Sequence, residues 1–401
     1  MSRSASIDGP SAVRARLSVT AVFALNGFLA ALWVAHIPVI TDRAHVSHAQ
    51  LGGLLLLIGV SAFVAMQLCG PATDRWGPRP TTVGAALLLS GAIIGPVLAR
   101  SPEALAASLA VFGFANGALD VSMNAQAVAV ERAYRRPIMS AFHGYFSVGS
   151  LVGSGLVALT LWLDVGVVPT VIGGAVFGVG VVAVVRHGLV PRGYGDPRIE
   201  AAATDDDPSP PGDPRWWRDV DLRQLGLMAL VAFALMLAEG TAYDWSALHV
   251  VETFGTTEAI GAITFGAFSA AMTVARLGID PIAASVGPVR LVRYGALIGA
   301  AGMTLAVLAP VAPLAIGGWT VFGIGLAGLI PQIFTAAGNL TVHASGRVIS
   351  VVVGCGYLGM LAGPAVIGFL GGAVGLSGAL AVAVVALAFA AASAGVVAPR
   401  A

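Results

Sequence analysis

Three polar side chains recur at every fourth position within an otherwise apolar stretch, namely Asn116, Asp120 and Asn124. This spacing places them on one face of a single helix. A carboxylate at the centre of a membrane helix costs about 2.5–3.5 kcal/mol, so it persists where it faces a wet cavity or a partner. The pattern predicts that this face lines a cavity and that Asp120 binds a solute or a proton. A structural pairing of Asp120 is the alternative interpretation.

Other groups that can titrate lie in separate apolar stretches. Glu239 and Tyr243 are four residues apart and share a helical face, and we interpret Glu239 as an acid that binds a solute or a proton. His143 lies near the start of its stretch, with Asp120 predicted about two helical turns deeper. A carboxylate–imidazole pair at that depth could carry a proton, because imidazole titrates near neutrality. A histidine that reaches the membrane interface is the alternative.

Amide side chains complete the set of candidate residues. Asn26 lies in the first apolar stretch, while Gln332 and Asn339 share a helical face in a later one. Amides suit hydrogen bonding to an uncharged polar solute, although packing between helices uses the same residue types.

Motifs for catalysis are absent from the sequence. We find no phosphate-binding loop, no metal-ligand spacing and no nucleophile–base pattern, so we expect no enzyme, no catalytic residues, no metal and no cofactor. The longest loop is too short for a nucleotide-binding domain, which leaves an ion gradient, most simply of protons, or the solute's own gradient as the energy source. A net charge of +1 argues against nucleic acid as a partner.

Hydrophobic runs long enough to cross a bilayer must position these residues. The chain is 57% hydrophobic and 10% charged, against about 25% charge in soluble domains. About 20 apolar residues cross about 30 Å of hydrocarbon. On this basis we predict an all-α polytopic membrane protein with spans one to twelve at 17–37, 50–72, 80–99, 104–130, 137–162, 166–187, 223–249, 258–276, 291–309, 314–339, 348–370 and 377–397.

The basic residues, all of them arginine, sort to one side of these spans. Nineteen of the 21 fall on the same side, and Arg43 and Arg100 are the exceptions. Arg276 is counted with the majority, in the segment after span eight. Because cytoplasmic segments are enriched in basic residues, the sorting predicts a cytoplasmic (inner) membrane protein with both termini in the cytoplasm.

A polar segment divides the spans into two sets of six. Residues 191–221 are rich in Pro, Asp, Arg and Gly and are predicted to form a disordered cytoplasmic linker. The predicted halves are therefore residues 1–190 and 222–401. Two six-span halves around a central cavity describe a secondary transporter built from repeats.

A motif after span two makes this description specific. Residues 70–79 read Gly70-Pro-Ala-Thr-Asp74-Arg75-Trp-Gly77-Pro-Arg79, which resembles the signature loop of the major facilitator superfamily. Its glycines permit close helix approach, and Asp74 can cap a helix N-terminus or pair with an arginine, so the loop is interpreted as a conformational latch.

The corresponding loop after span eight matches the signature less well. It contains Asp280 and Gly287, but Ala284 and Ser285 stand where an acidic–basic pair is expected. The sequence therefore does not predict a second latch.

Spans four and five resemble the fucose-permease-like bacterial branch of this superfamily. The resemblance rests on the stretches from Asp120 to Gln126 and from Arg136 to Gly149. It implies that an acid on span four faces the cavity, and the matching position is Asp120. The acid that fucose permeases carry on span one has no counterpart here, which argues against fucose as the substrate.

These observations predict a monomeric carrier whose partners are a small organic solute, protons and the lipid bilayer. Span five lacks the Gly-Pro of many proton-driven exporters, which favours symport or exchange of a polar metabolite, with efflux as the alternative. A membrane receptor or scaffold that transports nothing is a further alternative.

Overall fold

The computed structural model describes residues 10–46, 48–194, 217, 220–341 and 345–399. In these ranges the chain is helical, and the prediction of an all-α membrane protein with twelve spans is confirmed. Ten described helices are long and apolar enough to cross a membrane, and two shorter apolar helices, Ile263–Gly278 and Leu376–Ala392, occupy spans eight and twelve.

Most helices begin and end within a few residues of the predicted limits. In span order they are Ala12–Arg43, His48–Trp76, Pro78–Ala92 with Ile94–Leu98, Pro102–Tyr134, Met139–Trp162, Val167–Val185, Leu222–Phe254, Glu258–Gly278, Pro288–Leu308, Ala312–Leu326 with Leu329–Gly338, Ser345–Val374 and Leu376–Ala392. A short helix, Asp280–Val286, lies between spans eight and nine.

Spans three and ten are each interrupted, which the sequence analysis did not predict. Pro96 has no N–H and its ring crowds the carbonyl of residue 92, where the first helix of span three ends. In span ten the break falls at Ala327 and Gly328, and glycine is a weak helix former.

Spans three and nine begin in the same way. Gly77 and Gly287 precede them with φ of 91° and 81°, a conformation that favours glycine, and each is followed by a proline at the first helical turn. The two halves of the chain thus repeat this turn.

The helices form two compact units. The first comprises Met1–Arg136, Tyr145–Arg218 and Thr341–Ser350, and the second comprises Pro137–Gly144, Asp219–Leu340 and Val351–Ala401. The start of span five therefore belongs to the second unit and the start of span eleven to the first. The predicted halves follow chain order and do not include this exchange, and most of the predicted linker lies outside the described residues.

Small residues allow close helix contact inside each unit. In the first unit, Gly149 of span five lies against the backbone of Ala24 in span one. In the second, Gly325 of span ten lies against the backbone of Gly299 in span nine. Such contacts are typical of membrane helices, where close approach rather than apolar burial drives association. They fix the helices that carry the candidate residues.

Candidate functional site

The polar face of span four is buried in the first unit. Asp120 and Asn124 are almost fully buried, whereas Asn116, one turn before them, is half-buried. The Nδ2 of Asn124 donates to the backbone oxygen of Asp120 at 2.8 Å and lies 3.5 Å from its Oδ1. The predicted helical face therefore exists, and one amide on it is tied to the carboxylate.

Three acceptor atoms on spans one and four lack donors among the described residues. Asp120 Oδ2, Asn124 Oδ1 and Asn26 Oδ1 are buried and have no hydrogen-bond partner among the described residues. Asn26, on span one, donates its Nδ2 to the sulfur of Met123 at 3.6 Å, which leaves its oxygen available. Buried polar atoms are usually satisfied, so the three open acceptors can receive hydrogen bonds from a solute hydroxyl, an amine or water, and the Asp120 carboxylate can also bind a proton.

An ion pair lies in the second unit. Arg276 Nη2 donates to Glu239 Oε1 at 3.0 Å, and both side chains are 7% exposed. Glu239 Oε2 and Arg276 Nε have no partner in the described part of the chain. The assignment of Arg276 to a cytoplasmic segment is therefore wrong, because its guanidinium turns back from the last turn of span eight to a buried carboxylate.

Two predicted residues surround this pair within the second unit. His143 directly precedes Gly144, which packs against the side chains of Leu277 and Arg276, and its ring centroid is 5.9 Å from that of Phe334. Tyr243 follows Glu239 by one turn, packs against phenylalanine rings of span eight and is 43% exposed. Asp120 belongs to the other unit, so its pairing with His143 stays a prediction.

The amides predicted on span ten differ in position. Gln332 is buried, and its Nε2 has no partner among the described residues. Asn339 caps the C-terminus of the same helix and is exposed, about 10 Å further along the axis. The structure therefore brings Gln332 into the buried part of the second unit but leaves Asn339 at the helix end.

The signature loop caps a helix N-terminus in the first unit. Asp74 accepts hydrogen bonds from the backbone N–H of Gly346 at 2.7 Å and of Arg347 at 3.1 Å, where span eleven begins. Arg347 Nε lies 3.8 Å from the same carboxylate. Gly70 faces the backbone of Gly346 so closely that a Cβ at Gly70 would collide with it. The carboxylate thus satisfies N–H groups that have no partner inside the helix.

The remaining motif residues hold the turn. Gly77 has the positive φ that the turn requires, and Arg79 Nε donates to the backbone oxygen of Arg186 at 2.9 Å. Arg75 is exposed. These contacts tie the loop to the end of span six, and a latch function for the motif stays a prediction.

A second cap lies in the second unit, where the sequence did not predict one. Asp280 accepts hydrogen bonds from the backbone N–H of Ser140 at 3.2 Å and of Ala141 at 2.9 Å, at the start of span five. The carboxylate that caps this helix start belongs to Asp280, and not to the positions of Ala284 and Ser285, where the sequence analysis looked for an acidic residue. The sequence did not predict a second latch, and the cap formed by Asp280 does not test that expectation, since capping and a latch function are separate properties.

Removal of either carboxylate is expected to loosen only the helix start that it caps. In Asp74→Ala the amides of Gly346 and Arg347 should exchange hydrogen roughly fivefold faster, since a lost cap costs about 1 kcal/mol. Asp280→Ala should do the same at Ser140 and Ala141. Hydrogen–deuterium exchange with mass spectrometry measures both helix starts at once.

The conservative variants provide the control for this experiment. Asp74→Asn and Asp280→Asn each keep one of the two acceptor oxygens that the carboxylate uses, so they should restore part of the protection. Equal acceleration at both helix starts in either alanine variant would contradict local capping.

Two features of the site were not predicted from the sequence, namely the ion pair of Arg276 and the cap by Asp280. Both residues lie near the end of the apolar run of span eight and were assigned to the following loop. Their four-residue separation, equal to that between Gly70 and Asp74, was the available signal.

Comparisons with known proteins agree with this architecture. The family model of the Major Facilitator Superfamily matches residues 17–279. An uncharacterised MFS-type transporter of Yersinia pestis is 34% identical over 360 residues, which cover 88% of this chain and 88% of that protein. Membrane protein MosC of Rhizobium meliloti is 30% identical over 372 residues, covering 91% of this chain and 86% of that protein.

Solved structures share the fold at low sequence identity. The E. coli fucose:proton symporter FucP superposes with a TM-score of 0.76 at 14% identity, covering 96% of this chain and 98% of FucP. The human organic anion transporter TETRAN has a TM-score of 0.73 at 17% identity, covering 97% and 100%. Because these two proteins are named for different cargoes, the shared fold does not identify a substrate. The chain belongs to the major facilitator superfamily and is a secondary transporter.

Proposed function

We propose that this transporter couples the movement of protons to uptake or exchange of a polar, hydroxyl- or amine-bearing metabolite by alternating access. The observation that carries the proposal is the burial of Asp120 without a cation partner among the described residues. Uncompensated charge inside a protein is strongly unfavourable, and binding of a proton removes it. A carboxylate in this situation suits reversible proton binding.

The neighbouring amides support a polar solute. Asn26 and Asn124 each present an open acceptor oxygen near the same part of span four, since Asn26 contacts Met123. Solute hydroxyl or amino groups supply the missing donors, and a solute without donors leaves them unsatisfied. This chemistry fits sugars, nucleosides or amino acids, and does not distinguish among them.

The buried carboxylate of the second unit, Glu239, is given a different role in the proposal. Glu239 is already paired with Arg276, so its charge is compensated, and its second oxygen remains open. We assign the proton to Asp120 and assign to Glu239, with Tyr243 and Gln332, contacts to the solute.

The orientation of the protein belongs to the same proposal. The sorting of the arginines supports cytoplasmic termini in the inner membrane, with Arg43 and Arg100 on the outer face. Labelling of Arg100→Cys by a membrane-impermeant reagent from outside intact cells tests this, after Cys69 and Cys355 are replaced; labelling only in inverted vesicles would contradict it.

Flux measurements in proteoliposomes test the proposed function. Metabolites that raise the melting temperature of the purified protein are added to vesicles that contain a pH-sensitive dye. A substrate of a symporter should acidify the lumen as it enters, and an inward proton gradient should drive its accumulation. Protein-free vesicles give the baseline.

Other outcomes separate the alternatives. Flux that is independent of pH would contradict proton coupling. Accumulation of the solute in the lumen that requires an outward proton gradient would indicate proton antiport, the mechanism of an efflux pump. Absence of flux in folded protein, together with loss of a bound partner when residues 201–212 are deleted, would favour a scaffold. A carrier should keep its flux after that deletion.

A further inference from the structure

A polar cavity and an apolar groove in the first unit are both lined by residues at the start of span six. The cavity, about 580 Å³, is lined by Arg43, His45 and Arg100 together with Val168, and we call it the arginine pocket. The groove, about 510 Å³, runs along spans one, five and six. Val168 of the pocket directly precedes Pro169 of the groove, so the two cavities share span six as a wall.

The arginine pocket carries uncompensated positive charge. Arg43 Nη1 donates to the backbone oxygen of Val97 at 2.7 Å, which fixes the guanidinium beside span three. Neither Arg43 nor Arg100 has a carboxylate within salt-bridge distance in the described ranges. A guanidinium has five donors, so both arginines retain N–H groups that can bind an anion.

These arginines are also unusual in their location. They are the two that the span assignment leaves on the face opposite to the arginines of the other connecting segments. Arg43 closes the last turn of span one, and Arg100 follows span three, so both lie at helix ends, where lipid headgroups lie. The proposed transport of a polar solute does not use these two arginines.

The groove has the dimensions and chemistry of a site for an acyl chain. Along span six its lining extends from Val165 to Phe177, about 18 Å at 1.5 Å per residue, somewhat more than half of the roughly 30 Å hydrocarbon thickness. Its two threonines, Thr160 and Thr170, donate to backbone oxygens of their own helices and need no other partner.

The groove is open to the surface of the unit. Val152 and Phe177 on its walls are 58% and 56% exposed. Phe177 packs edge-on against Phe28 with ring centroids 5.3 Å apart.

We infer that this composite site binds one anionic phospholipid, with its phosphate between Arg43 and Arg100 and one acyl chain in the groove. Charge complementarity selects an anionic headgroup, and contiguity along span six joins the headgroup to the chain. A free phosphate would use the arginine pocket alone, and a zwitterionic lipid would gain less from the two arginines.

Native mass spectrometry of the delipidated full-length protein tests the inference. Phosphatidylglycerol and phosphatidylethanolamine with identical chains are added, and wild type should prefer the former. In Arg43→Gln/Arg100→Gln the binding of phosphatidylglycerol should weaken about 25-fold, at roughly fivefold for each charge near the surface, and the preference should vanish. The matched control, Arg223→Gln/Arg293→Gln, removes two exposed arginines of the second unit.

A second variant tests the groove independently of charge. Gly173 lines the groove, and a Cβ there meets no atom within 4 Å, so Gly173→Phe should fill the space without distorting the helix. It should weaken both lipids about tenfold or more. Gly180→Phe, at an equally open position of span six outside the groove, should have no effect.

The outcomes that overturn the inference are distinct. Retained preference in the double arginine variant would exclude the headgroup site. Displacement of phosphatidylglycerol by inorganic phosphate, with no effect of Gly173→Phe, would assign the arginine pocket to small anions instead. Circular dichroism and gel filtration of each variant establish that it is folded.

Discussion

Asp120→Asn is expected to abolish proton-driven accumulation of the substrate while leaving exchange across the membrane. The amide keeps the shape of the side chain and its contact with Asn124, but it cannot bind and release a proton. A pH gradient of one unit supplies 1.36 kcal/mol, so wild type with one proton per solute should reach about tenfold accumulation. The variant should reach a ratio of about one.

Counterflow measurements separate loss of coupling from loss of binding. Vesicles preloaded with unlabelled substrate should take up labelled substrate through Asp120→Asn without a pH gradient. Asp164→Asn is the matched control, because this carboxylate is exposed in the loop between spans five and six, at a φ of 55° that asparagine tolerates. The control should accumulate substrate as wild type does. Full accumulation by Asp120→Asn would exclude this residue as the proton site.

The helices could be predicted from sequence because each is specified by local composition. A run of about 20 apolar residues can span the hydrocarbon core as a helix wherever it occurs in the chain. Residues such as Gly77 and Pro78, or Pro310 and Pro313, mark the helix ends. The interruption of span ten was not predictable in the same way. Glycine is common in membrane helices, and nothing in the local pattern singles out Gly328 from the glycines that stay helical.

The candidate site was predictable only where it follows helical periodicity. Asn116, Asp120 and Asn124 share a face because of their spacing, and no neighbouring helix is needed to infer it. The pairing of Glu239 with Arg276 joins residues of two helices, and periodicity along one helix contains no information about the other. An arginine at the end of an apolar run also looks like a loop residue, because long basic side chains often extend to the interface.

The caps were only partly predictable, because each joins a loop to the start of a helix that is distant in the sequence. The motif around Asp74 indicated a capping residue, but not which helix it would cap. Asp280 also caps a helix start, but it lies further from the glycine of its turn. Asp280 precedes Gly287 by seven positions, whereas Asp74 precedes Gly77 by three. The short helix Asp280–Val286 fills the difference, so a fixed spacing fails to detect the second cap.

Arg276→Met is expected to destabilise the transporter by about 3–5 kcal/mol, because it leaves the carboxylate of Glu239 buried without its cation. Glu239→Gln should cost a similar amount by leaving Arg276 unpaired. The double variant should recover most of the loss, since it buries no uncompensated charge. Titration with SDS, followed by circular dichroism, measures the free energy of unfolding of all four proteins.

Arg293→Met, at an exposed position of span nine, is the control and should change stability by less than about 0.5 kcal/mol. Additive losses in the double variant would contradict an energetic coupling between the two side chains. The same proteins also test whether the pair contacts the solute through the open oxygen of Glu239. If it does, the double variant should be nearly as stable as wild type yet lose the rise in melting temperature that the substrate produces. A substrate that stabilises both proteins equally would show that the pair supports the fold and lies outside the binding site.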